Sequence, residues 1–445
     1  MAFSFRLDRL ELRNFRQFEL FSIDFDERLT VLVGNNGSGK SSVLDATSIA
    51  LDCFCHHLSY APKLEISQSD ARVQLFDLGD TVDAQPQYPV AITSHGCVGE
   101  DAAGLEWTVS RNSSDGDMSY DGARKLTSAA RNCRQRVQDG DQSLVLPLMA
   151  YYGTGRLWGS VTHGAQRRKT FTRLDGYSKA LGAVIDEDQL LTWFFKMTAQ
   201  DFQRAQSLRI REESAQFAAV RGAVEQCFKA ITGSAQVHVT YSFDADDLEI
   251  EYIDKAGVDQ RLTLSQLSDG YRAVLGMVAD IAYRMALLNP MLGKDVLTTP
   301  GVVLIDEVDL HLHPLWQARV LGDLLHIFPE VQFIVTTHAP VVISSVRSRH
   351  IRVLDNGGEA RHLGTEIYGS DAGRALIQVL GAPERPVEVQ AQFDEFYKVL
   401  DEGDYKQAEQ LLDAIRELVG ADDTGYVSAS TAFVLERDEA RYAAD

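Results

Sequence analysis

A chain of 445 residues, 45% hydrophobic and 24% charged, has the composition of a folded protein with room for several structural units and a large core. Its 43 Lys and Arg against 64 Asp and Glu give a net charge of −21, which excludes a protein that coats phosphate backbones with its whole surface but leaves a local basic groove open. Five irregularly spaced cysteines argue against a disulfide framework and for a reducing cytoplasm, and no run approaches the ~20 apolar residues of a membrane span.

The opening MAFSFRLDRLELRNF is charged throughout and lacks the apolar stretch of a secretory leader. Residues 3–33 alternate in strand fashion and end in the β-branched run RLTVLV. GNNGSGKSS interrupts that run, and SSVLDATSIALDCFCHHL resumes at helical spacing, which predicts strand, glycine loop, helix. Residues 61–149 are rich in Asp, Gly, Ser and Pro and read as a β insertion with loops. LVLPLMAYY (144–152) reads as a buried strand ended by GTGR, and residues 178–232 read mostly as helix. HVTYSF and LEIEYI form a hairpin on DADD, and LSDGYRAVLGMVADIAYRMALL a long helix. GVVLIDEVD, VQFIVTTH and HIRVLD read as strands. From about 370 onward the pattern is helical, with a helical hairpin turning at Glu402-Gly403-Asp404. The resulting divisions are an N-terminal lobe (1–60), a β/loop insertion (61–143), a strand with the YYGTGR segment (144–177), a helical insertion (178–235), a C-terminal lobe (236–355) and an acidic helical extension (356–445).

Gly34-Asn35-Asn36-Gly37-Ser38-Gly39-Lys40-Ser41 matches GxxxxGK[ST], with an apolar strand before it and a helix after. Glycines let backbone N–H groups converge on phosphates, and the helix N-terminus adds the positive end of its dipole. Lys40 supplies a point charge, Ser41 a hydroxyl for Mg²⁺, and Ser42 continues the nucleotide-binding turn. Val302–Ile305 run into Asp306 and Glu307, a strand ending in two acids. Asp306 is expected beside Mg²⁺, and Glu307, on the other face of the strand, as the group that polarises the attacking water. His338 follows the strand Phe333–Thr337, where a neutral imidazole reaches a γ-phosphate. Glu307 and His338 are therefore the expected catalytic residues. Ser268 and the amide of Gly270 open the long helix as an anion site, although Ser-Asp-Gly is also a common cap and turn.

Taken in chain order, these four features resemble the motif set of ABC-type ATPases. Asp269 and Tyr271-Arg272 stand where a transporter carries Gly and Gln, a departure shared with chromosome-maintenance and repair ATPases. LELRNFRQFELFSIDFDERLTVLVGNNGSGKSSVLDAT is similar to the head domains of the RecF/SMC class. Ala150–Trp158 (AYYGTGRLW), Asp306–Pro314 (DEVDLHLHP) and the tail GAPERPVEVQ…DEGDYKQAEQLLDAIRELVG resemble bacterial AAA_21-type ABC ATPases, a group that includes the PtuA ATPases of Septu-type anti-phage systems. The resemblance implies an α/β fold: a P-loop ABC-type ATPase head with a mixed sheet, β-rich and helical insertions and a C-terminal helical extension. It implies ATP and Mg²⁺, and a homodimer in which Ser268 and Gly270 of one copy close on the nucleotide of the other. It also implies a separate HNH-type nuclease, because the 107 residues after His338 are helical and acidic and lack a strand-plus-DxD nuclease pattern. Competing expectations are a RecF/SMC-like repair or chromosome-maintenance ATPase and a slow nucleotide-gated scaffold.

Other residues invite chemistry. Cys53, Cys55, His56 and His57 have metal-ligand types, but four neighbours on a helix cannot all face one ion. His311 and His313 are expected to shape a loop, and Asp309 to link nucleotide sites. Arg156 either senses nucleotide or pairs with an acid, and Gln17 is left without a role. Arg167, Arg168, Lys169 and Arg173, near Phe171 and Tyr177, form a basic cluster with aromatics that fits either nucleic acid or a solvated loop. From Glu384 to the end there are 16 acidic and 6 basic side chains, so the hairpin at 387–419 either docks a basic partner or simply packs through Phe393, Phe396, Leu400, Leu411, Leu412 and Ile415.

Overall fold

The computed structural model describes residues 4–58, 63–79, 81–99, 103–156, 170–207, 213–254, 256–355, 359–381, 383 and 385–444. They form two units, Met1–Ala372 and Gly373–Asp445. In the first, the alternating opening folds into β1 (Ser4–Phe15) and β2 (Phe18–Asp24). β3 (Leu29–Val33) is buried at every position, as a strand covered on both faces must be, and the glycine loop leads from it to α1 (Lys40–Cys55). The next stretch holds an exposed ribbon, β4 (Val73–Asp77) and β5 (Val82–Pro86), then β6 (Val90–Gly99), β7 (Ala103–Arg111) and β8 (Met118–Asp121). β2-β1-β6-β7-β8 make one antiparallel sheet. This stretch also contains a helix that the composition concealed, α2 (Arg124–Gln138). Only Leu126, Ala130 and Cys133 of it are buried, at helical spacing, and the rest is polar enough to read as loop.

β9 (Leu148–Tyr152) begins the return to the core. The expected helices are α3 (Glu187–Ser207) and α4 (Ala215–Thr232), and the expected hairpin, β10 (Val237–Ser242) and β11 (Asp247–Ile253), gains a third strand, β12 (Asp259–Thr263). α5 (Asp269–Leu288) is buried along nearly its whole length. β13 (Gly301–Ile305), the short helices α6 (Pro314–Gln317) and α7 (Val320–Ile327), β14 (Val331–Thr336), α8 (Pro340–Ser344), β15 (Ile351–Val353) and β16 (Arg361–His362) follow. The central sheet has the order β16-β15-β3-β14-β13-β9 and is parallel except at β16. Its register sets Leu32 beside Thr336, and Ile305 beside both Val335 and Tyr152. The turns after β3, β9, β13 and β14 therefore leave one edge of the sheet, where α/β proteins place their sites. The Gln332 side chain joins the two sheets, accepting from Leu7 N at 3.0 Å and donating to Leu7 O at 2.7 Å. The fold is α/β, with a mixed central sheet.

Most of the second unit is helical: α9 (Ala372–Leu380) spans the boundary, and α10 (Val387–Asp401), α11 (Tyr405–Val419) and α12 (Thr424–Ala444) follow. The α10–α11 turn falls on Glu402-Gly403-Asp404, with Gly403 at φ 79°. Phe393, Phe396, Leu400, Leu412 and Ile415 are buried, together with Ala429 and Phe433 of α12, and Leu411 is partly buried against them.

Candidate functional site

The loop after β3 is shaped by two glycines. Gly34 has φ 154° and Gly39 φ 93°, and a Cβ on Gly39 would stand 1.8 Å from Gln17 Nε2 and 2.4 Å from Phe18 Cζ. Ser38 N donates to Asn35 O at 3.1 Å, while the amides of Asn36, Gly37 and Gly39 meet no acceptor among the described residues. Lys40 is buried, and its Nζ donates to Gly34 O at 2.9 Å and Asn35 O at 3.0 Å. Burial pushes the Lys40 ammonium below its ordinary pKa, against the pull of Asp306, Glu307 and Asp309. Ser38 Oγ is buried without a hydrogen-bond partner among the described residues. Ser42 Oγ donates to Gln17 Oε1 at 3.2 Å, so Gln17 lies over the start of α1.

β13 stops at Ile305, and the acids lie just beyond it. Asp306 N donates to Tyr152 O at 2.8 Å. Ser41 Oγ donates to Asp306 Oδ2 at 2.8 Å and Thr336 Oγ1 to Asp306 Oδ1 at 2.6 Å. Thr336 Oγ1 also accepts from Glu307 N at 2.7 Å. Glu307 has φ 47°, so its side chain is aimed by a left-handed turn and not by the alternation of a strand, as the sequence implied. Arg156, 2% exposed, donates from Nη1 to Asp306 O at 2.5 Å and from Nη2 to Glu307 O at 2.7 Å. Its partners are main-chain carbonyls, not the acid side chain that the sequence offered as one option. Thr337 Oγ1 donates to Asp309 Oδ1 at 2.5 Å. His338 is half-buried, and burial, then the nearby Lys40, holds its pKa below the ordinary range, against Glu307, Asp309 and Asp306. Gly34–Ser42, Asp306, Glu307 and His338 thus share one edge of the sheet. A hydroxyl and a carboxylate 2.8 Å apart form the hard-oxygen donor set of Mg²⁺, and the unpartnered Ser38 hydroxyl and loop amides are donors suited to phosphate.

Ser268 and Gly270 stand apart from that cluster. Ser268 is exposed at the start of α5, and no hydrogen bond among the described residues joins this turn to the Gly34–Ser42 loop. Gly270 is packed so closely that a Cβ would stand 2.4 Å from His311 O. His311 has φ 62°, and His313 Nδ1 accepts from Leu315 N at 3.3 Å, so both shape the loop facing α5. Cys53 and Cys55 are buried in α1, and no metal-binding group of three or more His, Cys, Asp or Glu occurs among the described residues. Arg167, Arg168 and Lys169, like Leu157 and Trp158, lie outside the described residues. Arg173 is half-buried and caps main-chain carbonyls, Leu288 O at 2.7 Å and Leu144 O at 2.5 Å, a structural position instead of the nucleic-acid contact weighed for it. Thr336 escaped the sequence reading, and its only signal was a polar residue ending an apolar strand beside the histidine.

A family model described as an AAA domain matches residues 9–232, and one described as AAA domain, putative AbiEii toxin, Type IV TA system matches residues 188–344. The chain is 25% identical over 456 residues to a retron Ec83 probable ATPase of Escherichia coli, covering 89% of this chain and 79% of that one. It is 24% identical over 396 residues to a retron Vc95 probable ATPase of Vibrio cholerae serotype O1 biovar El Tor, covering 79% and 73%. A Septu protein PtuA of Bacillus thuringiensis is 27% identical over 262 residues, covering 54% of this chain and 62% of that one.

Proposed function

The chain belongs to the AAA-domain family of P-loop ATPases, and from that premise we propose that it binds MgATP and hydrolyses it to ADP and phosphate. The observation that carries this reading is the Ser41–Asp306 contact of 2.8 Å, which links the phosphate loop to the acid pair. Lys40 and the loop amides hold the phosphates, Ser41 and Asp306 hold Mg²⁺, Glu307 takes the proton of the attacking water, and His338 hydrogen-bonds the γ-phosphate. Ser268 and Gly270 act across a homodimer, completing the partner copy's site. The exposure of Ser268, with no bond to its own loop, supports that. Biologically, this is the regulatory ATPase of an anti-phage complex, a reading supported by the retron and Septu relatives, and it works with a separate HNH-type nuclease. The test is steady-state turnover of the wild-type protein and Glu307→Gln. The variant should bind ATP normally and turn over at least ~100-fold more slowly, as for loss of a general base. Equal turnover would sink the assignment.

A second reading, contact with duplex DNA, is favoured by α2. Its fifteen residues hold five Arg or Lys and no acid, in a chain of net charge −21. Arg124, Lys125, Ser128, Arg131, Asn132 and Gln135 line its exposed side, all hydrogen-bond donors. A helix ~10–12 Å across fits the ~12 Å major groove of B-DNA but not the narrow one of RNA. Reversing Arg124, Lys125 and Arg131 to Glu should flatten the salt dependence of duplex binding by ~0.9 per lost contact. An unchanged slope argues against this reading.

A further inference from the structure

The segment 151–156 touches three elements of the site within six residues. Tyr151 Oη donates to Asp45 Oδ1 at 2.8 Å, on the helix that follows the phosphate loop, and Arg16 holds the other oxygen of Asp45 at 2.6 Å. Tyr152 O receives the Asp306 amide, while its hydroxyl donates to Asp280 Oδ2 at 2.7 Å, in the middle of α5. Asp280 is paired with Arg284 at 2.6 Å in a fully buried couple, and Arg284 reaches Gly176 O and Ser178 O at 3.0 Å each. Four residues beyond Tyr152, Arg156 bridges the carbonyl oxygens of Asp306 and Glu307, and it is held in turn by Gly153 O at 3.2 Å. One strand end thus contacts the phosphate-loop helix, the helix that opens at Ser268 and the acid pair.

We propose that Arg156 is the positioning residue of the Asp306-Glu307 pair, its guanidinium fixing the two peptide carbonyls and, through them, the place of the Glu307 carboxylate. This rests on the ATPase reading above. An arginine set on the carboxylates would neutralise the groups needed for metal and water. Arg156 takes their main chain instead and leaves both side chains available. Glu307 needs such support, because L side chains rarely adopt its left-handed backbone; Thr336 Oγ1 holds its amide, Leu310 N donates to its carbonyl at 2.9 Å from within the same turn, and Arg156 is the side chain that ties that carbonyl to the one before it. The two bonds diverge from the two terminal nitrogens of a rigid planar fork. Lysine carries a single nitrogen on a flexible stem and does not reproduce that spacing.

The experiment compares the full-length wild type, R156K, R156Q and each variant in a Glu307→Gln background, with ATP affinity and turnover measured separately. A misplacement of ~1 Å at a reacting group costs ~100-fold in rate, so R156K and R156Q should lose about that much kcat while ATP affinity stays within about threefold. In the Glu307→Gln background the same substitutions should add less than about threefold, because the group they position is already gone. A wild type that does not turn over ATP overturns the ATPase reading and this one together. Normal turnover by R156K and R156Q beside an active wild type overturns the Arg156 role alone. Loss of ATP affinity in step with turnover in both variants, or a full further loss in the Glu307→Gln background, marks a merely structural arginine and also overturns it.

Discussion

The sheet edge that holds the candidate site and the helical unit after Gly373 differ in what they bury. At the sheet edge Lys40, Asp306, Thr336, Thr337 and Arg156 are all at most 6% exposed. In the helical unit the core is Phe393, Phe396, Val399, Leu400, Ala408, Leu412, Ile415, Ala429 and Phe433, and among the described residues no polar side chain is buried there. Burying a polar group is costly unless it is hydrogen-bonded, and those bonds fix position more than they stabilise. The apolar stripe of α10 and α11 buys stability and leaves the outward faces to charge. One region is built to place atoms and the other to stay folded. Substitutions should separate these two properties cleanly.

Phe396→Ala carries the largest expected effect. The ring is fully buried, and its removal should destabilise the helical unit by ~3–5 kcal/mol, read as an early transition in thermal or urea unfolding. ATP affinity should not change, and a matching loss of affinity would break the contrast. Asp306→Asn does the reverse. It removes the charge from a buried carboxylate whose two oxygens Ser41 and Thr336 hold one each, so turnover should drop ~100-fold while the melting temperature holds or rises. A melting temperature lowered by several degrees would mean that the carboxylate is structural.

The same contrast governs how much the sequence disclosed. The phosphate loop, the apolar strands around it and the helical hairpin at Gly403 were legible because each depends on local pattern: glycines needed for tight backbone, β-branched runs, a 3.6-residue stripe. α2 was not legible, since three buried side chains in fifteen residues give too weak a period. The functions of Arg156 and Thr336 could not be read either. Both act through contacts with Asp306 and Glu307, which stand 150 and 151 residues after Arg156, and no local spacing encodes such a meeting. Glu307 shows the limit within a motif. Its identity was plain, but the direction of its side chain depends on one left-handed residue.

A smaller effect comes from pH. Burial and Lys40 lower the His338 pKa below its ordinary value of 6.5, so the folded protein favours the neutral ring. The unfolded chain therefore binds the extra proton first. The contribution of His338 to stability is present above pH 6.5 and is lost as pH falls through the lowered pKa of the folded state. If the neutral imidazole reads the γ-phosphate, kcat should stay level down to below pH 6.5 and then fall by up to about tenfold per pH unit. His338→Gln should lower the plateau and abolish that acid limb. An unchanged limb in the variant would assign it to another group.

The smallest effect tests the helical unit at its turn. Asp404 sits at the N-cap of α11 and accepts from Gln407 N at 3.1 Å, with a negative charge at the positive end of the helix dipole. Asp404→Ala should cost ~1 kcal/mol of the unit's stability, and Asp404→Asn, an equally good cap without the charge, only a few tenths. The pair separates capping from charge. If Asn costs as much as Ala, the charge matters more than the cap, and the acidic surface of this unit takes part in its folding. If Asn is nearly neutral, Asp404 acts through its hydrogen bond to Gln407 N and its charge contributes little to holding the helices together, which leaves that charge available to a basic partner.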